Sequence, residues 1–234
     1  MKTHFQDKTK LVNSVFDKVY KKYDFMNDIM SFGIHRIWKK NMIDWMNPQL
    51  GSKLIDVASG TGDLAKLFSE KSKNKNEIFC VEPNKFMLQA GKEKLSTYKN
   101  IKWFIASAEK LPFKDNTFDF YTISYGIRNV TNINLCLKEA FRVLKTGGRF
   151  MCLEFSKVEN EILNKAYREY SKLIPLIGKY VVGNKMPYDY LISSINKFYN
   201  QKELSMLMEK HGFTKVNYRN LSNGISAIHS GWKI

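Results

Sequence analysis

Lys53-Leu54-Ile55-Asp56-Val57-Ala58-Ser59-Gly60-Thr61-Gly62-Asp63 is a short apolar run that passes straight into a glycine-bearing turn, and a helical pattern from Gly62 to Ser72 follows it. In an open α/β sheet, such a strand-to-helix turn is where the ligand binds. Its glycines let the backbone run close beneath a bound group, and the helix start behind them offers unpaired N–H donors. The third glycine of the dinucleotide fingerprint is missing, because Ala65 and Lys66 occupy the place where it would fall. That weakens a nicotinamide reading. An acidic residue, Glu82, closes the next apolar run, 20 residues after Gly62. This separation suits a carboxylate that accepts hydrogen bonds from both hydroxyls of a ribose.

Further apolar runs lie at Ile78 to Glu82, Ile101 to Ala106, Phe118 to Ser124 and Gly148 to Phe155. Each is nearly continuous, as expected of strands covered on both faces. Helical patterns at Lys85 to Thr97 and Asn132 to Leu144 separate them, and the alternation predicts an α/β fold with a mostly parallel sheet. From Glu159 to Tyr199 the chain reads as a mostly helical insertion broken at Pro175, Gly183 and Pro187. A helix from Gln201 to His211, a strand from Lys215 to Leu221, a turn at Asn223-Gly224 and a strand from Ile225 to His229 then predict a closing antiparallel hairpin. Ahead of the sheet, Leu11, Val15, Val19 and Tyr23 recur at helical spacing. The plan is therefore an N-terminal helical arm over 1–48 and one main domain over 49–234, interrupted by a helical insertion over 157–200.

With 234 residues, 44% hydrophobic and 26% charged, the composition is that of an ordinary globular chain and excludes disordered or fibrous classes. No apolar stretch has the length to cross a bilayer, and Met1 to Lys10 lacks the apolar centre of a secretory signal. The expected address is cytoplasmic, with peripheral contact at the inner membrane surface. Cys80, Cys136 and Cys152 form no C-x-x-C pair and read as reduced core residues. His4, His35, His211 and His229 sit in separate elements without ligand spacing, so no metal is expected. The net charge of +16 is the outlier. It admits nucleic acid, an anionic membrane or acidic substrates as partners, but its even spread along the chain favours compositional bias.

The loop Asp56 to Asp63 together with Glu82 resembles the class I S-adenosylmethionine (SAM) methyltransferases. A third station fits as well: Ser107-Ala108-Glu109 leads into Leu111-Pro112-Phe113 and Phe118-Asp119. The resemblance implies a Rossmann-like, mostly parallel seven-stranded sheet with a C-terminal antiparallel hairpin and a helical lid. It also implies SAM as cofactor. By position, Ser107 and Ala108 would contact the adenine, Glu82 the ribose, and Gly60 and Thr61 the methionine end. Asp56, Ser59, Gly62 and Ser124 would complete the cofactor set.

Two segments narrow the family: Tyr23-Asp24-Phe25-Met26-Asn27-Asp28 continuing to Trp38, and Arg142-Val143-Leu144-Lys145-Thr146-Gly147-Gly148 continuing to Ser156. Together with Ser124-Tyr125-Gly126-Ile127-Arg128-Asn129-Val130-Thr131 and Asn223 to His229, they are similar to the C-methyltransferases of ubiquinone and menaquinone biosynthesis. Thr146 stands where that family has proline, and Glu82 where it has aspartate. The implied substrate is a polyprenyl quinol. Contact of the insertion and arm with a membrane follows from a lipid-dwelling substrate and from the apolar run Leu173 to Val182. A homodimer or a quinone-biosynthesis complex are further expected assemblies.

Ring methylation needs positioning, desolvation and an ionised ring hydroxyl, hence a base or a cation that stabilises phenolate. Arg128 and Asn129 follow the fourth strand, whose carboxyl end faces the crevice, and are the expected catalytic pair. His35 and Tyr125 are the secondary candidates. The alternative for Arg128 is a salt bridge to Asp119 or Glu154; for His35, Tyr23 and Trp38 it is plain packing. Two other functions compete: an RNA or other small-molecule methyltransferase, which needs a basic face with stacking groups, and a non-catalytic SAM-fold subunit of a quinone-synthesis complex. Neither an RNA-binding module nor an N-P-P-Y tetrad is present in the sequence, so no nucleic acid is expected.

Overall fold

The computed structural model describes residues 33–158 and 186–234, with Asp28, Ser31, Lys165, Glu169 and Tyr170 in addition. Most of the expected arm and insertion, including Leu11, Val15, Val19, Tyr23 and the run Leu173 to Val182, lies outside these residues.

The elements in chain order are α1 (His35–Met46), β1 (Lys53–Val57), α2 (Asp63–Lys71), β2 (Glu77–Val81), α3 (Lys85–Lys94), β3 (Ile101–Phe104), β4 (Phe118–Ser124), α4 (Ile133–Val143), β5 (Leu144–Phe155), α5 (Met186–Lys197), α6 (Gln201–Lys210), β6 (Thr214–Leu221) and β7 (Ser226–Trp232). The seven strands form one sheet in the order β3-β2-β1-β4-β5-β7-β6. Strands β1 to β5 pair in parallel, and β7 runs antiparallel to both β5 and β6. Strand order reverses between β1 and β4, so a crevice opens at the carboxyl ends of those two strands.

Alternation along the strands divides the core between two faces. Leu54, Ile78, Phe120, Met151 and Ile228 point to the face covered by Trp38, Met42, Ile43 and Met46 of α1 and by Phe68 of α2. Ile55, Val57, Tyr121, Ile123, Phe150 and Cys152 point to the other, covered by Cys136, Leu137 and Ala140 of α4 and by Leu204 and Met208 of α6. Each of the Val, Leu, Ile, Phe and Met side chains among them contributes about 1.5–3 kcal/mol of apolar burial. Helix starts are set by local chemistry. Asn84 and Asn132 cap α3 and α4 through their side-chain oxygens, and Asn200 with Glu203 forms a reciprocal cap on α6.

Within the described residues the expected strands and helices are present, with shifted ends. Strand β3 stops at Phe104 rather than Ala106, because it is the sheet edge and pairs only with β2. Strand β5 starts at Leu144 instead of Gly148, where Leu144 pairs with Phe118 across a register shift. Helix α3 ends at Lys94, short of Thr97. The last strand runs on to Trp232 because β5 on one side and β6 on the other pair with it that far. Pro187, expected to break the chain, stands within α5. All three cysteines are buried free thiols, and burial pushes each thiol pKa up, that of Cys136 to about 12. No described helix is long and apolar enough to cross a membrane.

Candidate active site

The turn after β1 is held from below by β2. Ser59 N–H donates to the Val81 carbonyl at 3.2 Å, and Gly62 N–H closes back on the Ser59 carbonyl at 2.9 Å. Glu82 is the brace: one carboxylate oxygen accepts from Gly60 N–H and the other from Asn84 N–H, both at 2.9 Å. It is 7% exposed, which makes it a built-in acceptor rather than a solvated strand end. Burial pushes its pKa to about 7 against the pull of those two N–H groups. Gly62 adopts φ +84°, and a Cβ there would lie 2.7 Å from Leu95 and 2.9 Å from Trp103. At Gly126 a Cβ would come within 2.6 Å of the Ala58 Cβ, so the turns after β1 and β4 touch.

A narrow cleft runs between these two turns, lined by Lys39, Asp56, Ser59, Gly60, Thr61, Asp63, Ser124 and Tyr125. Lys39 is the residue that sequence reading missed. Carried by α1 and almost fully buried, it reaches across to Asp63 at 2.7 Å, while Lys94 holds the other Asp63 oxygen at 2.7 Å and the Thr61 hydroxyl at 3.1 Å. Burial raises the Asp63 pKa, but the two ammoniums outweigh it and hold that carboxyl well below its usual range. Asp56, 1% exposed, accepts from the Thr122 hydroxyl at 2.7 Å, and burial pushes it up to about 7. The free space between these groups is about 20 Å³, enough for a water.

These residues fit SAM. Ser124 Oγ is buried and unpartnered among the described residues, as a group awaiting a polar ligand would be. Asp56 and Lys39 offer one acceptor and one cation for an α-ammonium and an α-carboxylate. Beyond β3, Ala108 is buried and Ser107 exposed, and Glu109 ties their loop to the turn after β4 by accepting from Thr131 and Asn132 N–H. Phe86, in the first turn of α3, and Ile105, directly after β3, are exposed apolar side chains.

On the substrate side, Arg128 lies in a one-turn 3₁₀ helix after β4. Its guanidinium pairs with the buried Glu154 at 2.6 Å, donates to the Tyr125 carbonyl at 2.9 Å and lies 5.5 Å from the centre of the Phe155 ring. Arg128 thus pairs with Glu154 and not with Asp119, which pairs with Lys145. Asn129 accepts from the Tyr190 hydroxyl of α5 at 3.0 Å, and Arg128 reaches Ser194 of the same helix at 3.3 Å, so α5 closes over this turn. Tyr125 turns its hydroxyl to Ser226 at 3.3 Å and its ring against Phe155, which also takes the edge of Trp38.

His35 is 1% exposed, and its Nε2 meets Asp28 Oδ1 at 2.9 Å, while Arg36 clamps Asp28 from the other side. Burial first, then the charge of Lys39, push the His35 pKa down, so the ring is neutral and the contact with Asp28 is a hydrogen bond. If Nε2 donates, Nδ1 is an acceptor, and it is buried without a partner among the described residues. His35 lies one turn before Lys39 on the same helix face, which places it beside the cleft. Among the described residues no cluster could hold a metal.

A model of the ubiE/COQ5 methyltransferase family matches residues 2–233. The chain is 50% identical over 235 residues to the ubiquinone/menaquinone biosynthesis C-methyltransferase UbiE of Rickettsia bellii, an alignment covering 97% of this chain and 94% of that protein. It is 49% identical to the UbiE of Brucella suis over 97% of this chain and 87% of that one. In fold it is similar to a SAM-dependent methyltransferase of Thermotoga maritima, with a TM-score of 0.69 at 21% identity, covering 95% of this chain and all of that one. A phosphoethanolamine N-methyltransferase of Haemonchus contortus solved with S-adenosylhomocysteine gives a TM-score of 0.68 at 12% identity over 95% and 60% of the two chains. The sheet is thus the class I SAM methyltransferase fold, and with a family model spanning nearly its whole length and relatives at half identity, the chain belongs to the ubiE/COQ5 methyltransferase family.

Proposed function

We propose that this protein methylates a ring carbon of a polyprenyl quinol in ubiquinone or menaquinone biosynthesis, with SAM as methyl donor. Glu82 carries the reading: a buried carboxylate at the end of β2, fastened to the glycine turn by Gly60 N–H, in a chain that the family model covers almost entirely. SAM supplies the methyl group on a positively charged sulfonium, so the protein must position the ring, exclude water and take a proton. Glu82 accepts the ribose hydroxyls, Lys39 pairs with the α-carboxylate, and Asp56 faces the α-ammonium. Ser107 and Ala108 flank the adenine.

For the proton, the Asp28–His35 pair supports one role and Arg128 another. With Nε2 turned to Asp28, His35 is oriented to accept a proton at Nδ1, directly or through water. Arg128 already faces Glu154, which reduces the positive field it can offer to a phenolate. Its part is to hold Asn129, the Tyr125 carbonyl and α5 around the ring. Phe155, Trp38 and Tyr125 supply flat apolar surface.

Incubating the protein with methyl-labelled SAM and, separately, demethylmenaquinol and 2-polyprenyl-6-methoxy-1,4-benzoquinol tests the proposal. Label incorporated into either ring supports it and identifies the ring. Tight SAM binding with no transfer to either quinol would overturn it in favour of a non-catalytic SAM-fold subunit.

A further inference from the structure

The end of the sheet opposite the glycine turn holds a second, larger pocket. It opens at the amino ends of β1, β4 and β5, has a volume of about 730 Å³, and takes its apolar walls from Trp45, Leu50, Phe120 and Trp232. That volume suits a small organic molecule.

Its polar floor is Arg149 of β5. The residue is 8% exposed, its Nε donates to Ser230 Oγ at 2.7 Å, and its Nη1 donates to the Trp45 carbonyl at 2.8 Å. The guanidinium lies 5.0 Å from the ring centres of both Trp45 and Trp232. Among the described residues it has no carboxylate partner, and Nη2 has no acceptor. A second cation, Arg219 of β6, sits 4.1 Å from the same Trp45 ring. Burial, then the charge of Arg219, push the Arg149 pKa down to about 10, which still leaves it charged at neutral pH.

Two guanidiniums sharing one indole, one of them buried without a counter-ion among the described residues, is a costly arrangement. The one acidic residue in the lining, Asp119, is already committed: it accepts from Lys145 Nζ and from Lys53 N–H, both at 2.8 Å. The pocket therefore presents unmatched positive charge between flat apolar walls, a combination that recognises a planar anion through charge, guanidinium hydrogen bonds and stacking.

We infer that this pocket is a ligand site, separate from the cofactor cleft, for a small organic anion: a carboxylate, phosphate or sulfonate carried on a flat apolar body, its charge on Arg149 and its body against Trp45 and Trp232. The inference does not depend on the methyl acceptor proposed above.

The probe is 8-anilinonaphthalene-1-sulfonate, with the uncharged N-phenyl-1-naphthylamine as its control, each titrated by fluorescence into the full chain. Saturable binding of the sulfonate is expected, weakened about tenfold or more in Arg149→Gln and several-fold in Arg219→Gln, with the uncharged control unchanged by either substitution. Excess inorganic phosphate should compete, and S-adenosylhomocysteine should not. Because Arg149 is buried, its variant can fail to fold; Arg219 is exposed on the sheet edge, and its variant then decides. Sulfonate affinity unaltered in Arg219→Gln, displacement by S-adenosylhomocysteine, or equal loss of the uncharged control would overturn the inference.

Discussion

Lys39 pairs with Asp63, whose other oxygen Lys94 holds. In the proposed site Lys39 takes the α-carboxylate of SAM while Asp63 keeps Lys94. A charge-assisted hydrogen bond of about 1.5–3 kcal/mol predicts that Lys39→Met weakens SAM binding by roughly ten- to a hundredfold. Decarboxylated SAM, which lacks that group, should bind wild type and variant alike; calorimetry showing equal losses for both ligands would refute the pairing. His35 and Arg128 separate in the same way. His35→Gln should retain the melting temperature and SAM affinity while kcat falls and the alkaline plateau of its pH profile disappears. Arg128→Met leaves Glu154 buried and unpaired, and should cost about 3–5 kcal/mol of stability. A stable Arg128→Met protein with no turnover would instead return the catalytic role to Arg128. Sequence position alone brought Arg128 and His35 to attention. It could not tell which guanidinium face was occupied, since Glu154 is 26 residues away and meets Arg128 only through β4–β5 pairing.

Contacts between elements set the width of the cleft. The turns after β1 and β4 meet at Ala58 and Gly126, and Gly126→Ala would push them apart. SAM affinity should fall at least several-fold, with a stability loss of about 1–3 kcal/mol from overpacking. Unchanged affinity, measured by calorimetry on the folded variant, would show that the turns yield without cost. The strands were legible as apolar runs because burial on both faces leaves little room for polar residues. Their ends were not, because a strand stops where its neighbour stops: β3 at the sheet edge after Phe104, and β7 only at Trp232, where β5 still pairs with it. Helix α1 shows the same limit. It was read only as part of a helical arm over 1–48, and nothing in that reading showed that one turn of it would deliver Lys39 into a cleft between the turns after β1 and β4.

Two buried carboxyls make the whole molecule sensitive to pH. Asp56 and Glu82 each have a folded pKa of about 7, above the value near 4 of an unfolded chain. The folded state therefore holds their protons longer. The stability they contribute is complete below about pH 4 and is lost as pH rises to about 7, with a slope approaching 1.4 kcal/mol per pH unit for each group. His229 acts oppositely: burial holds its pKa at about 4, so its share is lost as pH falls below about 6.5. Ribose binding favours ionised Glu82, so SAM should bind more tightly as pH rises from 6 to 7 and should release protons on binding. Calorimetry at pH 6.5 in two buffers of different ionisation enthalpy measures that release, and Glu82→Gln should reduce it; equal release in both proteins would refute the linkage. The substitution also keeps a carbonyl for one backbone N–H, whereas Glu82→Ala would strip acceptors from both Gly60 and Asn84 at about 1–3 kcal/mol each, so that change disturbs the fold as well as the ligand. At the largest scale, the charge of +16 predicts co-sedimentation with anionic vesicles at low salt and release at high salt. Absence of binding at low salt would count against a membrane-docked enzyme.

The one-dimensional order of residues determined the sheet, the glycine turn, the acidic partner after β2 and the family, because each is a local signal: apolar periodicity, a turn chemistry, a spacing between adjacent elements. Asp56, Glu82, Thr61 and Ser124 were named as cofactor candidates from the sequence since they lie in or just after strand ends, and strand ends converge at the switch point of any such sheet; the structure places Asp56, Thr61 and Ser124 around one cleft. Tertiary structure decided everything that needs distant segments to meet. The Lys39–Asp63 bridge, the Glu154 clamp on Arg128, the orientation of His35 by Asp28 and the Arg149–tryptophan pocket are all contacts across folded elements. Burial then gives them their energetics, since the same carboxylate or guanidinium that is unremarkable in water becomes costly, shifted or ligand-seeking once the sheet and its helices have removed the solvent.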